Sequence, residues 1–268
     1  MATQPDRLTL IALGILAFTL KATLHEWVGH GGAAILAGCT PEAVSSAWWD
    51  SDCSGLADSE SARRLVKVGG TIANLVAAGI AAALLGVCRR RPGALGTGAF
   101  FLWLVFVTNL LSAGGYMMVD PLFGFGDWSA FIASYGAPWL RWPLIAVGLG
   151  LSLVGLISGR RCLLPWLGDD PATRRARSRT LGLLPYFAGA TIVPLSALLN
   201  PYGAGFVVTS ALSSFGGCAW LVWIALKPLT ERPESRRGEL RRAPLWSLAG
   251  ALAVVFLFAL LGPGVRFD

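Results

Sequence analysis

Apolar residues gather along this chain into long, nearly unbroken runs, about 8–37, 66–88, 97–119, 138–158, 180–199, 203–226 and 245–262, with charged residues confined to the stretches between them. Roughly 20 apolar residues suffice for a helix to cross a bilayer, so each run predicts one membrane-spanning helix. The expected fold is all-α: a polytopic transmembrane helix bundle of about seven helices. The first run could be read as a signal peptide, since Arg7 precedes Leu8–Leu20. Against that, Lys21–Leu24 offers no small-x-small cleavage site and the apolar pattern continues to Leu36. A mean hydropathy of +0.62, with 54% hydrophobic and 14% charged residues, agrees with a membrane protein and excludes an ordinary soluble domain.

Charge adds a topology. The net charge is +7 and the pI about 9.6, but the basic residues occupy alternate loops instead of one stripe, so no nucleic-acid partner is expected. Arg89–Arg91 follow the second run, Arg160–Arg179 the fourth, and Lys227–Arg242 the sixth. By the positive-inside rule these loops are inside, resting on anionic headgroups, with the N-terminus inside and the C-terminus outside. The 39–65 loop then lies outside, and its acids Glu42, Asp50, Asp52, Asp58 and Glu60 suit that side. It holds Cys39 and Cys53, which could pair in an oxidising compartment, whereas Cys88, Cys162 and Cys218 are expected to be free thiols. Trp48, Trp49, Trp128, Trp139, Trp142 and Trp166 fall near predicted helix ends, as an interfacial belt would.

The candidate chemistry lies in the first run. His25-Glu26-Trp27-Val28-Gly29-His30 holds the only two histidines of the chain. Ionisable groups at membrane depth are costly and are functional candidates by default. The spacing is i, i+5, which in a regular helix separates the two side chains by roughly 140°. A local π-type turn would bring them to within roughly 50°, and Gly29, without a β-carbon, makes such a turn cheap. Two neutral imidazoles with an adjacent glutamate are the parts of a zinc hydrolase, Glu26 taking a proton from a metal-bound water. A third protein ligand is required, and with no further histidine it must be a carboxylate or a cysteine. Lys21, one turn earlier on the same face, is expected to pair with a buried aspartate or to reach a polar cavity.

Two later elements extend the pattern. Gly70-Thr71-Ile72-Ala73-Asn74 lies in the second run, where Asn74 needs either an interhelical partner or a role in the site. Asn109 lies in the third, ahead of a loop with Asp120 and Asp127 and no basic residue. Together with the His-Glu run, these residues resemble the site-2 protease-like intramembrane zinc metalloproteases, the M50 peptidases, over about residues 8–135. The resemblance implies Zn2+ as cofactor, His25 and His30 as ligands, Glu26 as the catalytic base, and Asn74 and Asn109 as substrate-binding residues. For the third ligand, Gly126-Asp127-Trp128 looks like the family's glycine-flanked acid at a helix start; Asp120, nearer the family's usual sequence distance, is the alternative. The chain departs from the family in its longer H-E-x-x-x-H spacer, a variant that resembles the zinc helix of the soluble dipeptidyl peptidase III family, and in Leu110-Leu111-Ser112 after Asn109.

The implied activity is hydrolysis of a peptide bond in or near a transmembrane segment, with a membrane-protein or peptide substrate in the lipid bilayer. Residues 1–135 would form the metalloprotease-like core. Residues 136–268, without His or carboxylate at membrane depth, would form a four-helix scaffold in which Pro185 and Pro194 kink one helix. The competing readings are a catalytically inactive relative that binds client proteins and a small transporter. A transporter would be expected to show repeated halves or further intramembrane charges.

Overall fold

The computed structural model describes residues 5–91, 93–201, 203–227 and 237–267. Seven helices in it are long and apolar enough to cross a membrane, and their ranges follow the seven apolar runs. In chain order they are α1 (Arg7–Ala37), α2 (Ser59–Arg90), α3 (Thr97–Phe123), α5 (Pro138–Trp166), α6 (Pro171–Ala197), α7 (Gly205–Leu226) and α8 (Pro244–Leu261), with a short α4 (Gly126–Tyr135) between α3 and α5. The chain is therefore an all-α, multi-pass membrane protein.

The helix starts lie where short polar side chains can take up unpaired amides. Asp6, Asp58 and Asp170 accept from the backbone N–H of Thr9, Ser61 and Thr173 at 2.9, 3.1 and 2.8 Å. Asp58 and Asp170 lie well ahead of their apolar runs and lengthen the helices beyond the sequence expectation. Arg63 and Arg64 stand on α2 and Arg174–Arg179 on α6, where the sequence suggested loops. Pro185 and Pro194 lie within one continuous helix.

α3 is the centre of the bundle. In its most apolar window 83% is buried, against 17% for α5, which turns most of its surface to lipid. Phe100, Trp103, Leu104 and Leu111 fill the core around it, and the Trp103 indole donates to the Gly159 carbonyl at 2.9 Å. Gly114 and Gly148 let α3 and α5 approach backbone to backbone: a β-carbon on Gly148 would lie 2.6 Å from the Gly114 carbonyl oxygen.

One face of the bundle carries a three-stranded sheet. β1 (Thr40–Val44) and β2 (Trp49–Asp52) form a hairpin with a bulge between Pro41 and Ala43, and β3 (Val265–Arg266) pairs with the other edge of β1. Cys39 and Cys53 are disulfide-bonded at its base, while Cys88, Cys162 and Cys218 are free thiols. The strand near the C-terminus thus shares a side with the 39–58 loop, as an odd number of crossings requires. The N-terminal end of α1 meets the start of α8 on the opposite side, where the Ala243 amide donates to Thr9 Oγ1 at 3.1 Å.

The tryptophans divide. Trp139 and Trp142 are exposed as a belt requires, but Trp128 and Trp166 are buried in the protein. Trp128 donates its indole N–H to Thr71 Oγ1 at 3.0 Å, tying α4 to α2.

Candidate metal centre

α1 changes its hydrogen-bonding over Leu24–Gly31, where the chain forms a π-helical turn between two α-helical stretches. The widened turn brings His25 and His30 to the same face, with ring centroids 4.8 Å apart and ring planes nearly perpendicular. Gly29 also has a tertiary role that its spacing alone did not reveal. A β-carbon there would lie 2.5 Å from Gly70 Cα and 2.7 Å from the Gly69 carbonyl oxygen of α2, so glycine is what lets the two helices touch. Gly70 in turn lies beneath both imidazoles: its missing β-carbon would stand 2.6 Å from His25 Nε2 and 2.7 Å from His30 Nε2.

The third group comes from the α3–α4 corner. Gly124 and Gly126 take left-handed backbone conformations, φ +77° and +78°, and reverse the chain so that Asp127 points back at α1. Asp127 Oδ2 lies 3.5 Å from His25 Nε2 and 3.1 Å from His30 Nε2. Tetrahedral bonds of about 2.0–2.1 Å imply ligand–ligand separations of roughly 3.3 Å, so these spacings fit one small divalent cation. His25, His30 and Asp127 form a group that could bind a metal ion, their donor atoms all within 4.8 Å of one another. Asp120 is not in that group. Its carboxylate accepts the Trp128 amide at 3.3 Å and its carbonyl accepts the Ser129 hydroxyl at 2.6 Å, so it holds the corner that presents Asp127.

The imidazoles are held from behind. His30 Nδ1 lies 2.6 Å from the Val66 carbonyl; it donates there and leaves Nε2 as the lone-pair donor. His25 Nδ1 faces the side-chain amide of Asn74 at 3.1 Å, while Asn74 Oδ1 has no partner. An amide with oxygen and nitrogen exchanged occupies the same space. In that orientation Oδ1 accepts from His25 Nδ1–H, satisfying the orphaned oxygen and freeing His25 Nε2 for a metal. Asn74, for which the resemblance implied a substrate contact, thus stands behind His25, one of the three groups that could bind a metal ion. Asn109 is fully buried in α3, donates to the Val105 carbonyl of its own helix at 2.8 Å, and does not line the cavity.

Burial pushes the Asp127 carboxyl up, but the two imidazoles outweigh it and hold the group well below the usual carboxylate range. Lys67 Nζ lies 3.7 Å from its other oxygen. Glu26 Oε2 is 4.0 Å from His30 Nε2, and the carboxylate makes no ion pair or hydrogen bond at closer range among the described residues. All of this borders a cavity of about 170 Å³. The β1–β2 turn contributes Ala47 and Trp48, and α7 contributes Phe206, Thr209, Leu212, Ser213 and Gly217.

Several of these residues carry no sequence signal of a site. Tyr116 stacks on His25 at 4.3 Å with planes 11° apart, and its hydroxyl shares a hydrogen bond of 2.5 Å with Ser213. A lone phenol in an apolar run signals only that a partner is needed. α7 has no acid or histidine, yet it completes the wall.

Comparison of the chain with protein-family models, with curated proteins and with solved structures finds no match in any of the three.

Proposed function

We propose that the chain is a zinc-dependent intramembrane endopeptidase of the site-2 protease-like type, with His25, His30 and Asp127 as zinc ligands and Glu26 as general base. The observation that carries this reading is the convergence of two imidazoles and one carboxylate in one cavity beside a second carboxylate, Glu26, which among the described residues has its nearest ionic partner in His30 at 4.0 Å. Two nitrogens and an oxygen, with the carboxylate oxygen 3.5 and 3.1 Å from the two imidazole nitrogens, suit zinc among the common divalent ions. When bound, the zinc supplies Lewis acidity toward a carbonyl oxygen and makes water acidic enough to serve as a nucleophile near neutral pH.

The chain's own residues supply the rest. Glu26, held only loosely at 4.0 Å from His30 Nε2, accepts a proton at its carboxylate and passes it to the leaving amine. His30 Nδ1–H on Val66 and Asn74 on His25 fix the two rings, and Lys67 steadies Asp127. Val119, Phe125, Phe206 and Leu212 give the cavity apolar walls suited to the side chains of a membrane segment. A helical substrate satisfies its own amides, so it must unwind locally before a peptide bond enters. With the arginine-rich face inside, the cavity opens toward the outer half of the bilayer.

The test begins with zinc per chain in purified protein, measured by mass spectrometry. Wild type and Asp120→Asn are expected to hold about one zinc each, and His30→Ala and Asp127→Ala to lose it. Glu26→Gln should keep zinc and cut a reconstituted transmembrane-peptide library roughly 10²–10⁴-fold more slowly. Folded wild type that stays metal-free after zinc is supplied would overturn the reading, as would Glu26→Gln that cleaves at the wild-type rate.

A further inference from the structure

Asp127 is carried by α4, a helix of only 10 residues with left-handed glycines at its start, Gly124 and Gly126, and Gly136 at its end, φ +60°. Isolated helices shorter than about 12–15 residues are marginal, so α4 depends on what fastens it. Its first turn is tied by Asp120 to the Trp128 amide and the Ser129 hydroxyl, and by the Trp128 indole to Thr71 of α2. Trp128 and Ile132, one turn apart, are its buried residues.

The last turn is held by Arg64 of α2. Arg64 donates from Nε to the Ser134 hydroxyl at 3.1 Å and from Nη2 to the Ser134 carbonyl at 2.6 Å, and its guanidinium carbon lies 3.8 Å from the centre of the Tyr135 ring. Among the described residues these are the only hydrogen bonds that join this turn to another element. The Ser134 carbonyl is one of those that a helix C-terminus leaves unpaired, and a cation beside it meets the negative end of the helix dipole. Glu60 also meets Arg64 Nη2, at 2.7 Å, but is 59% exposed, and such surface pairs contribute little.

α2 therefore holds all three candidate ligands. Its Val66 carbonyl engages His30, Asn74 faces His25, and Thr71 and Arg64 hold the two ends of the helix that presents Asp127. The leverage is large. A rigid tilt that moves the Asp127 carboxylate, roughly 4 Å from the glycine corner, by the about 0.2 Å a metal site tolerates moves Ser134, roughly 10 Å along the helix, by only about 0.5 Å.

We infer, on the ligand assignment just proposed, that Arg64 is a positioning residue of the metal centre: by clamping the far end of α4 it fixes Asp127 against the two imidazoles. It touches neither the metal nor the substrate, and acts through Asp127.

The experiment measures zinc affinity of the full-length protein in detergent by competition with a chromogenic chelator, with hydrogen exchange over residues 130–135 and thermal unfolding alongside. Arg64→Ala should weaken zinc binding at least about tenfold and quicken exchange in that turn. Arg64→Lys, whose ammonium cannot fork between hydroxyl and carbonyl or stack flat on the ring, should recover only part of the affinity. Tyr135→Leu, which removes the stacking face and keeps Arg64, should weaken zinc binding several-fold and keeps the test decisive if Arg64→Ala does not fold. Glu60→Gln should bind as wild type does. Trp103→Phe, which loses the bond to Gly159 in the bundle core away from α4, should lower the unfolding midpoint and leave zinc affinity unchanged. Arg64→Ala or Tyr135→Leu that binds zinc as tightly as wild type, or an equal loss in Trp103→Phe, would overturn the role of Arg64 while leaving the metal site standing. Wild type that binds no zinc would overturn both.

Discussion

Replacing Gly70 by alanine puts a methyl group against the two imidazoles. In the present geometry the new carbon would stand 2.5 Å from His25 Cε1, 2.6 Å from His25 Nε2 and 2.7 Å from His30 Nε2. Ordinary contact is about 3.5 Å, so the rings must retreat by roughly 0.8 Å. These are the far ends of side chains, which can rotate away, so the helices stay packed and the damage falls on the metal site. Ligand positions tolerate only about 0.2 Å. Disturbing a group one shell out from a metal already weakens binding about 10–100-fold, so shifting two donors together should cost at least about 100-fold, or about 2.7 kcal/mol. Stability should change little, since alanine favours a helix interior over glycine by about 0.5–1 kcal/mol, and that offsets the local strain. Gly79→Ala is the control: it lies on the same helix with nothing within 4 Å of the added carbon, so metal affinity should be unchanged. Gly69→Ala makes the opposite contrast, since its β-carbon would meet the Gly29 backbone carbon at 2.8 Å and should separate α1 from α2, lowering the unfolding midpoint. The assay is zinc affinity by competition with a chromogenic chelator, with thermal unfolding alongside. Gly70→Ala that binds zinc as tightly as wild type would refute the assignment of His25 and His30 as joint ligands.

Two further outcomes follow from neighbouring features. Asn74→Ala removes the group that fixes the His25 tautomer and should weaken zinc binding about 10–100-fold in the chelator competition while the His30 side of the site is untouched; unchanged affinity would show that His25 needs no such support. Reducing the Cys39–Cys53 bridge, which spans a sequence separation of 14, should destabilise the hairpin by about 3 kcal/mol on the chain-entropy estimate, read as earlier loss of amide protection over residues 40–52 in hydrogen exchange. Equal protection in reduced and oxidised protein would count against it.

What the sequence made legible was whatever depends on neighbours along the chain. The apolar runs predict the spanning helices because bilayer crossing is a matter of local length and hydropathy. The π-turn was predictable because i, i+5 histidines share a face in no other helical geometry, and the turn is found at Leu24–Gly31. Asp127 against Asp120 was harder. Both are acids beside glycines or proline, and the choice depends on the reversal at Gly124 and Gly126 and on Asp120 being taken up by the Trp128 amide. Asn74 and Asn109 look alike in sequence, each a lone amide in an apolar helix. A helix apolar on nearly every side gives no periodicity from which to read which face turns inward, so nothing local could tell that one meets His25 and the other its own backbone.

The division into a catalytic first half and a supporting second half illustrates the same limit. A search for acids and histidines passes over residues 136–268, yet Phe206, Thr209 and Ser213 of α7 close the cavity, and Ser213 joins Tyr116 of α3 to Lys21 of α1. α1 itself is held by the later helices as well as by α2 and α3. A β-carbon on Gly250 of α8 would meet Ala12 Cβ at 2.7 Å, one on Gly189 of α6 would meet Phe18 Cγ at 2.6 Å, and Gly14 lies directly against the Pro185 backbone. These contacts are made by small residues without chemistry of their own, and they fix the rotation of the helix that carries both histidines. The orientation of His25 and His30 is thus a property of both halves, and the candidate metal centre depends on glycines in α6 and α8 as well as on the motif beside it.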